Sequence, residues 1–251
     1  NRPPPLQPTV PEAEPPGRKA WYCAEVEKEG SRLTFAEPDG GDRAQVLSTH
    51  VICRQPGRYI GWPTIVRRAN DELVVAFSGD RDSHVCPFGK MQLVRSQDGG
   101  KSWSKERTIL NGPLDDRDSG LIETTKGTLV ASWFTSISFT TDDDYTEHAA
   151  TVSEQTREKE SGHWVHRSTD GGDTWGEKIA VCSSAPHGPI QLADGRLLYV
   201  GNGTLDGEPV VVAEESTDDG QTWSVISRIL VDETIESGIG EPHLVECASG
   251  R

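Results

Sequence analysis

The chain has 251 residues, of which 33% are hydrophobic, and its formal net charge is −15. The acidic balance argues against a nucleic-acid-binding protein, because phosphate neutralisation needs a basic surface, and no apolar run is long enough to span a membrane. The 26 glycines and 16 prolines are typical of many short strands joined by many turns. The length therefore suits one large all-β domain or two smaller domains.

Residues 1–17 are rich in proline and contain almost no apolar side chains. This composition predicts an extended or disordered tail ahead of a folded domain that covers residues 18–251. The five cysteines lack a C-x-x-C spacing, and we interpret them mostly as buried small residues, with room for one disulfide. Their spacing indicates neither a metal site nor a redox pair, so no metal and no cofactor is predicted.

A hairpin pattern recurs along the folded domain. Residues 61–77, 118–134 and 187–201 each contain a small residue or proline, an apolar strand, a turn and a second apolar strand, and residues 240–251 begin a fourth copy. Each hairpin is followed by a variable connection and a further strand. The pattern predicts four-stranded antiparallel meanders, which are the blades of a propeller.

A Ser-x-Asp-x-Gly-x-(Thr/Ser)-Trp string ends three of these units, in residues 95–105, 167–177 and 215–225. Glycine supplies the positive-φ positions of a tight turn, the aspartate accepts N–H bonds from its own turn, and the tryptophan packs between sheets. A catalytic aspartate is expected once in a protein, so three copies in similar settings indicate structure. We call these strings the Ser-x-Asp turns; their members are Ser96, Asp98, Trp103, Ser168, Asp170, Trp175, Ser216, Asp218 and Trp223.

The spacing of the units fits a blade of about 50 residues once residues 135–161, a polar stretch, are treated as a loop inserted into one blade. The fourth hairpin stops at Arg251 before its second strand, and residues 19–36 offer one or two more strands at most. Closed propellers carry roughly 4–8 blades. We therefore expect the N-terminal portion of a longer propeller, or a ring closed by another copy.

The Ser-x-Asp turns resemble the Asp box of the sialidase-like (BNR repeat) propellers, and the resemblance covers about residues 46–251. It implies an all-β propeller of four-stranded antiparallel blades, six or seven when complete, with these turns at the periphery and the functional site at one mouth of the central channel. It implies less about the reaction, because such propellers include sialidases, polysaccharide lyases, glycan-binding modules and non-catalytic receptors. A secreted or periplasmic location is expected, and a cytoplasmic one stays open.

Charged, aromatic and histidine side chains concentrate at the starts of the hairpins and in the loop after the first of them. Gathered at one mouth, they predict a pocket for a carbohydrate, and the arginines favour an anionic one because a guanidinium binds a carboxylate with two bonds. The candidates are Arg58, Trp62, Arg81, Asp82, His84, Arg117, Asp118, His187, Glu241 and His243.

The resemblance implies an exo-acting glycoside hydrolase on sialic-acid- or uronate-bearing glycans, with Asp82 as the acid. Residues 240–250 are similar to the family segment N-E-x-x-x-x-E-L-x-D-G, which makes Glu241 the candidate that activates a tyrosine. The first blade departs from the pattern, because residues 61–63 read Gly-Trp-Pro where sialidases read Arg-Ile-Pro, and Arg58 would take over that role. The substrate-binding set is Arg58, Trp62, Arg81, Arg117, Asp118, His187 and His243.

Two alternatives stay open. A polysaccharide lyase acting on uronate glycans needs a base near neutral pH and a cation that stabilises the enolate-like intermediate. His84, assisted by His187 and His243, suits the first task, and the arginines suit the second. The other alternative is a non-catalytic propeller that binds glycans or proteins through the same pocket.

Overall fold

The computed structural model describes residues 48–229 and 240–248. In these ranges the strands form three four-stranded antiparallel sheets, each made of four strands consecutive in the chain. This confirms the predicted all-β propeller, with each sheet forming one blade. The predicted tail at 1–17 and the additional strands expected within 19–36 lie outside the described residues.

The strands follow the predicted hairpins closely. The first blade contains β1 (Tyr59–Arg67), β2 (Leu73–Arg81), β3 (Lys90–Ser96) and β4 (Arg107–Leu110). The second contains β5 (Asp115–Glu123), β6 (Leu129–Ser136), β7 (Gly162–Ser168) and β8 (Ile179–Val181). The third contains β9 (Ile190–Gln191), β10 (Leu197–Leu205), β11 (Glu208–Ser216) and β12 (Ser224–Ile229).

The interior strands form the core between blades. Residues 74–77 of β2 and 129–131 of β6 are buried throughout. The faces of β6 meet the first and third blades, whereas β2 meets the second blade on one face and is covered by Ile52 and Cys53 on the other. A strand covered on both faces has a continuous apolar run instead of an alternating one, as the hairpin pattern predicts. The outermost strand β12 is exposed along its whole length.

The insertion between β6 and β7 contains short helices where the sequence predicts a loop. Two 3-10 turns, Ser138–Thr141 and Asp143–Tyr145, precede α1 (Thr146–Thr151) and α2 (Glu154–Glu160). Ser153 caps α2, because its side chain accepts the N–H of Thr156 at 3.1 Å. A serine at this position satisfies a donor that the first helical turn leaves free.

The Ser-x-Asp turns are self-contained hydrogen-bonded loops. Asp170 accepts the hydroxyl of Ser168 at 2.7 Å and the N–H of Thr174 at 2.9 Å. The hydrogen bonds from Thr174, followed by that from Ser168, hold the pKa of Asp170 well below its usual range. Trp175 packs against the core cluster shared by the first two blades, and Trp223 against the cluster shared by the second and third. The other two turns repeat the serine–aspartate bond at 2.8 Å, from Ser96 to Asp98 and from Ser216 to Asp218.

An arginine in front of two of these turns joins one blade to the next. Arg95 of the first blade donates to the carbonyl of Gly171 at 2.5 Å, and Arg167 of the second donates to the carbonyl of Asp219 at 2.7 Å. Gly171 and Asp219 are the residues after the turn aspartates, and both have positive φ. The Ser-x-Asp turns therefore hold adjacent blades together as well as closing the hairpins.

Two glycines allow the second and third blades to approach closely at the central channel. A Cβ built on Gly120 would lie 2.6 Å from the Cα of Gly188 and 2.2 Å from the Oγ of Ser132. We expect Gly120→Ala to destabilise the fold by about 1–3 kcal/mol, because overpacking here displaces backbone. Urea unfolding measures the effect.

Gly176→Ala is the matched control for this variant, because its Cβ would meet only the carbonyl of Arg167, at an ordinary distance of 3.6 Å. Equal stability losses in the two variants would contradict the proposed close approach of the blades.

Two sequence expectations differ from the structure. Residues 240–248, the described part of the predicted fourth hairpin, contain no strand, although Leu244 packs against the core of the third blade. The cysteines described are free thiols, and among them only Cys86 is buried. Neither the disulfide nor the general burial expected for the cysteines is found among the residues that the structure describes.

Candidate functional site

The starts of the innermost strands share an unusual backbone conformation. Trp62 and Asp118 have φ of 53° and 55°, and each lies within a register shift, in β1 and in β5 respectively. Glu241, which has the same place in the fourth hairpin repeat, has φ of 51°. Positive φ is uncommon in residues other than glycine, and such strain concentrates at functional sites. Equivalent positions of the hairpin repeat therefore carry different side chains: an indole at Trp62 and carboxyl groups at Asp118 and Glu241.

Asp118 and Glu241 line the same cavity, which has a volume of about 400 Å³. Two walls come from the ends of β6 and β7, where Phe134 and His163 lie opposite each other, and from the segment before β9. The other wall belongs to β10. The complete lining is Asp118, Phe134, His163, Ser184, Ala185, Pro186, Asn202, Gly203, Thr204 and Glu241.

The Asp118 carboxyl is the titratable group most perturbed in this cavity. Burial raises its pKa to about 6; Arg117 opposes this shift, while the negative charge of Glu241 adds to it. Its Oδ1 is buried and has no hydrogen-bond partner among the described residues. Near neutral pH this carboxyl is thus able to carry a proton, as a general acid requires.

The wall before β9 is fixed by two side chains from the sheet behind it. The buried carboxylate of Glu214 accepts the N–H of Cys182 at 3.0 Å and that of Ser183 at 2.6 Å. The hydroxyl of Tyr199 accepts the N–H of Ala185 at 3.0 Å. These bonds hold the cavity wall in place without a ligand, which lowers the cost of binding one.

Arg81 is enclosed, with no exposed surface. Its guanidinium forms a bidentate pair with Asp115, at 2.6 and 2.9 Å, and also donates to the carbonyls of Ser83 at 3.3 Å and His84 at 3.0 Å. Burial opposes its charge, but the carboxylate of Asp115 outweighs this and raises the pKa of Arg81. The sequence assigns Arg81 to substrate binding; in the structure its donors bind Asp115 of β5 and carbonyls of the loop between β2 and β3.

Arg117 lies between two aromatic rings. Its guanidinium carbon is 4.7 Å from the ring centre of Trp62 and 5.4 Å from that of Phe134. Its Nη2 is 3.3 Å from the Nε2 of His84. The Nε lies 4.0 Å from Asp115 and has no hydrogen-bond partner among the residues described. Since Arg81 already pairs with this carboxylate, two guanidinium charges share one close counter-charge.

His84 is exposed and lies beside Trp62, with 5.1 Å between the two ring centres. Burial, and then the charges of Arg117 and Arg81, lower the pKa of His84. These effects favour the neutral form of the imidazole.

Asp82, predicted as the catalytic acid, has no exposed surface. Its Oδ1 is ion-paired with Arg58, which also donates to Asp80 at 2.9 Å. The Oδ2 of Asp82 is buried without a hydrogen-bond partner in the described ranges. Arg58 thus pairs with one oxygen of the Asp82 carboxylate, and neither residue lines the cavity.

His187 and His243 lie apart from His84. Their rings are 5.2 Å from each other, centre to centre, and they line a second cavity of about 440 Å³ among residues of the innermost strands, including Thr64 and Leu121. The candidate histidines therefore separate into one beside Arg117 and a pair in the channel.

The sequence analysis missed the polar wall made by His163, Asn202 and Thr204. One signal was available: Asn202 and Thr204 lie at the end of β10, the second strand of a predicted hairpin, and His163 lies at the start of the strand that follows the insertion. Among the described residues, no group of three or more histidine, cysteine or acidic side chains is placed to hold a metal ion. No described helix has the length and apolar character needed to cross a bilayer.

No protein-family model and no curated protein sequence matches the chain. Solved structures share its fold at low identity. A protein of unknown function from Dyadobacter fermentans is 22% identical, with a TM-score of 0.55 over 73% of this chain and 58% of its own. The Hadza microbial sialidase Hz136 is 19% identical, with a TM-score of 0.50 over 67% of this chain and 37% of its own.

The intramolecular trans-sialidase from Ruminococcus gnavus, solved with oseltamivir carboxylate, is 14% identical, with a TM-score of 0.54 over 76% of this chain and 64% of its own. The chain thus spans less than two thirds of the length of all three proteins. One of them is a sialidase and another an intramolecular trans-sialidase, and the likeness of the chain to them is one of fold.

Proposed function

We propose that the protein is a sialidase-like glycoside hydrolase of the Asp-box type, acting on anionic glycans. The observation that carries the proposal is the cavity shared by Asp118 and Glu241, in which burial raises the pKa of Asp118 to about 6. Glycosidases use two carboxyl groups, one protonated and one ionised, on either side of the scissile bond. Asp118 is the general acid, and Glu241 is the carboxylate that activates the attacking group.

The proposed preference for an anionic sugar follows from the charge around Arg117. Arg81 and Arg117 share Asp115, and with Asp118 protonated the site has a positive charge without a nearby partner. Arg117 lies behind Phe134, a residue of the cavity wall, with its guanidinium carbon 5.4 Å from that ring centre. A substrate carboxylate that reaches this guanidinium would neutralise it with a charge-assisted hydrogen bond. The strongly acidic surface does not oppose this, because a pocket field is local while net charge is global.

A lyase is the second candidate, and the geometry of His84 favours it. A neutral imidazole next to a guanidinium, 3.3 Å from Nε2 to Nη2, is a base beside a cation, as β-elimination from a uronate requires. In this reaction His84 takes the proton next to the carboxylate, and Arg117 stabilises the charge that develops.

A comparison of anionic and neutral substrates tests the proposal on the full-length protein. We expect 4-methylumbelliferyl glucuronide or N-acetylneuraminide to be hydrolysed with a kcat/KM about tenfold to a hundredfold above that of the neutral glucoside, which is the value of a charged hydrogen bond. Fluorescence of the released alcohol measures this.

The other outcomes separate the alternatives. An unsaturated, ultraviolet-absorbing product from uronate oligosaccharides without hydrolysis would replace the hydrolase with the lyase. Binding of these glycans without any product would overturn both enzymatic assignments.

A further inference from the structure

The insertion between β6 and β7 packs on the first blade although it belongs to the second. Phe139, Tyr145 and Ala149 of the insertion form one buried cluster with Cys86 and Leu114, and Cys86 belongs to the loop between β2 and β3. This loop contains Asp82 and His84, so the insertion covers the outer side of the segment that leads to the proposed site.

One polar contact crosses this apolar interface. The hydroxyl of Tyr145 lies 3.2 Å from the Oγ of Ser83, which also donates to the carbonyl of Val85. Tyr145 is 7% exposed, and its ring packs edge-on against Phe88 at 6.3 Å between centres. The phenol is therefore fixed by packing, and its hydroxyl meets the loop at one defined point.

Ser83 lies between a loop residue that is buried and one that is exposed. Asp82 before it is enclosed and paired with Arg58, whereas His84 after it is exposed beside Trp62 and Arg117. Arg81 holds the carbonyls of residues 83 and 84 from the inner side, and Tyr145 holds the side chain of Ser83 from the outer side. A loop held on both sides keeps the imidazole of His84 in one place.

We propose that Tyr145 is a positioning residue: through Ser83 it sets the place of His84 at the cavity mouth, so the insertion is a functional part of the site. This inference rests on the proposed function, since His84 lies 3.3 Å from Arg117, which binds the substrate carboxylate in the hydrolase, and is itself the base in the lyase. A side chain held by packing and hydrogen bonds is the support that precise sites need.

Tyr145→Phe tests the proposal, because it removes the hydroxyl and keeps the packed ring. We expect kcat/KM on the preferred substrate to fall about threefold to tenfold, the value of one net hydrogen bond, and Ser83→Ala to give a similar fall. The double variant should be no worse than either single variant, because both remove the same contact.

Thr151→Ala is the matched control. It removes a hydroxyl in the same insertion that donates only to the carbonyl of His148, at 2.7 Å, and its kcat/KM should be unchanged. Additive losses in the double variant, or full activity in a folded Tyr145→Phe protein, would overturn the proposal.

A second readout works without catalysis. The imidazole NMR signals of His84, assigned with His84→Gln, report its position among Arg117, Arg81 and Asp115, the charged groups that affect it. Tyr145→Phe should shift these signals and their titration midpoint, whereas Thr151→Ala should not. A shift in a protein without hydrolase activity would support the positioning and reject the proposed function, and unchanged signals would reject the positioning alone.

Discussion

Asp118→Asn is expected to lower kcat about 10²- to 10⁴-fold, the usual contribution of a general acid. The substitution is well matched, because asparagine tolerates the positive φ of 55° found at Asp118 better than other residues. In the native protein the rate should fall as pH rises above about 6, since the pKa of Asp118 is raised to about 6 and the acid then loses its proton. This decline should disappear in the variant, and pH–rate profiles of both proteins measure it.

Asp116→Asn is the control for this experiment. Burial raises the pKa of Asp116 to about 6 as well, but its carboxyl accepts bonds from Thr135 at 2.8 Å and Gly112 at 2.7 Å and does not line the cavity. This variant should keep both the rate and the decline near pH 6. If Asp116→Asn abolishes the decline, or if Asp118→Asn retains most of the activity, Asp118 is not the acid.

The fold was predictable because its signals are local and repeated. Each hairpin has continuous apolar runs, and each Ser-x-Asp turn closes through hydrogen bonds among its own residues, as between Ser168 and Asp170. Such features do not depend on distant parts of the chain. The helical turns over residues 138–151 were harder to predict, because Phe139, Tyr145 and Ala149 pack on Cys86 of the first blade and on Leu114.

The candidate site was predictable in place but not in detail. The hairpin starts gather Trp62, Asp118 and Glu241 at equivalent positions, as their left-handed backbone shows. The sequence gives the charge of Arg81 and Asp82, but not that each is enclosed and paired with a counter-charge. Pairing depends on which side chains the loops bring together in space, and a one-dimensional pattern of charges does not specify this.

The charged residues near the site fall into two groups, those paired with other protein groups and those with buried polar atoms that lack a partner. Arg81 and Arg58 use their donors on protein carboxylates and carbonyls, so they hold the end of β2 and the loop that follows it. Arg117 and Asp118, one and two positions beyond Asp116 in β5, have buried polar atoms that no described residue satisfies. Buried polar atoms without partners are rare in native proteins, and Asp118 is the one of these two residues that lines the cavity.

Breaking the pair between Arg81 and Asp115 should have the largest effect on stability. Both side chains have no exposed surface, and the carboxylate is 2.6 Å from the guanidinium. Asp115→Ala leaves a buried guanidinium without its partner, so we expect a loss of about 3–5 kcal/mol in the free energy of unfolding. The loop that Arg81 holds should loosen as well, and urea unfolding followed by circular dichroism measures the loss.

Two further variants show whether the loss of stability comes from an unpaired buried charge. Arg81→Met combined with Asp115→Leu removes both charges and should cost less than Asp115→Ala alone, because no buried charge is left unpaired. Arg67→Ala breaks the exposed pair with Asp71, whose side chains are 70% and 78% exposed, and should cost at most about 1 kcal/mol. If Asp115→Ala is as mild as Arg67→Ala, the enclosed pair does not hold the loop, and the position of His84 beside Arg117 must depend on the insertion alone.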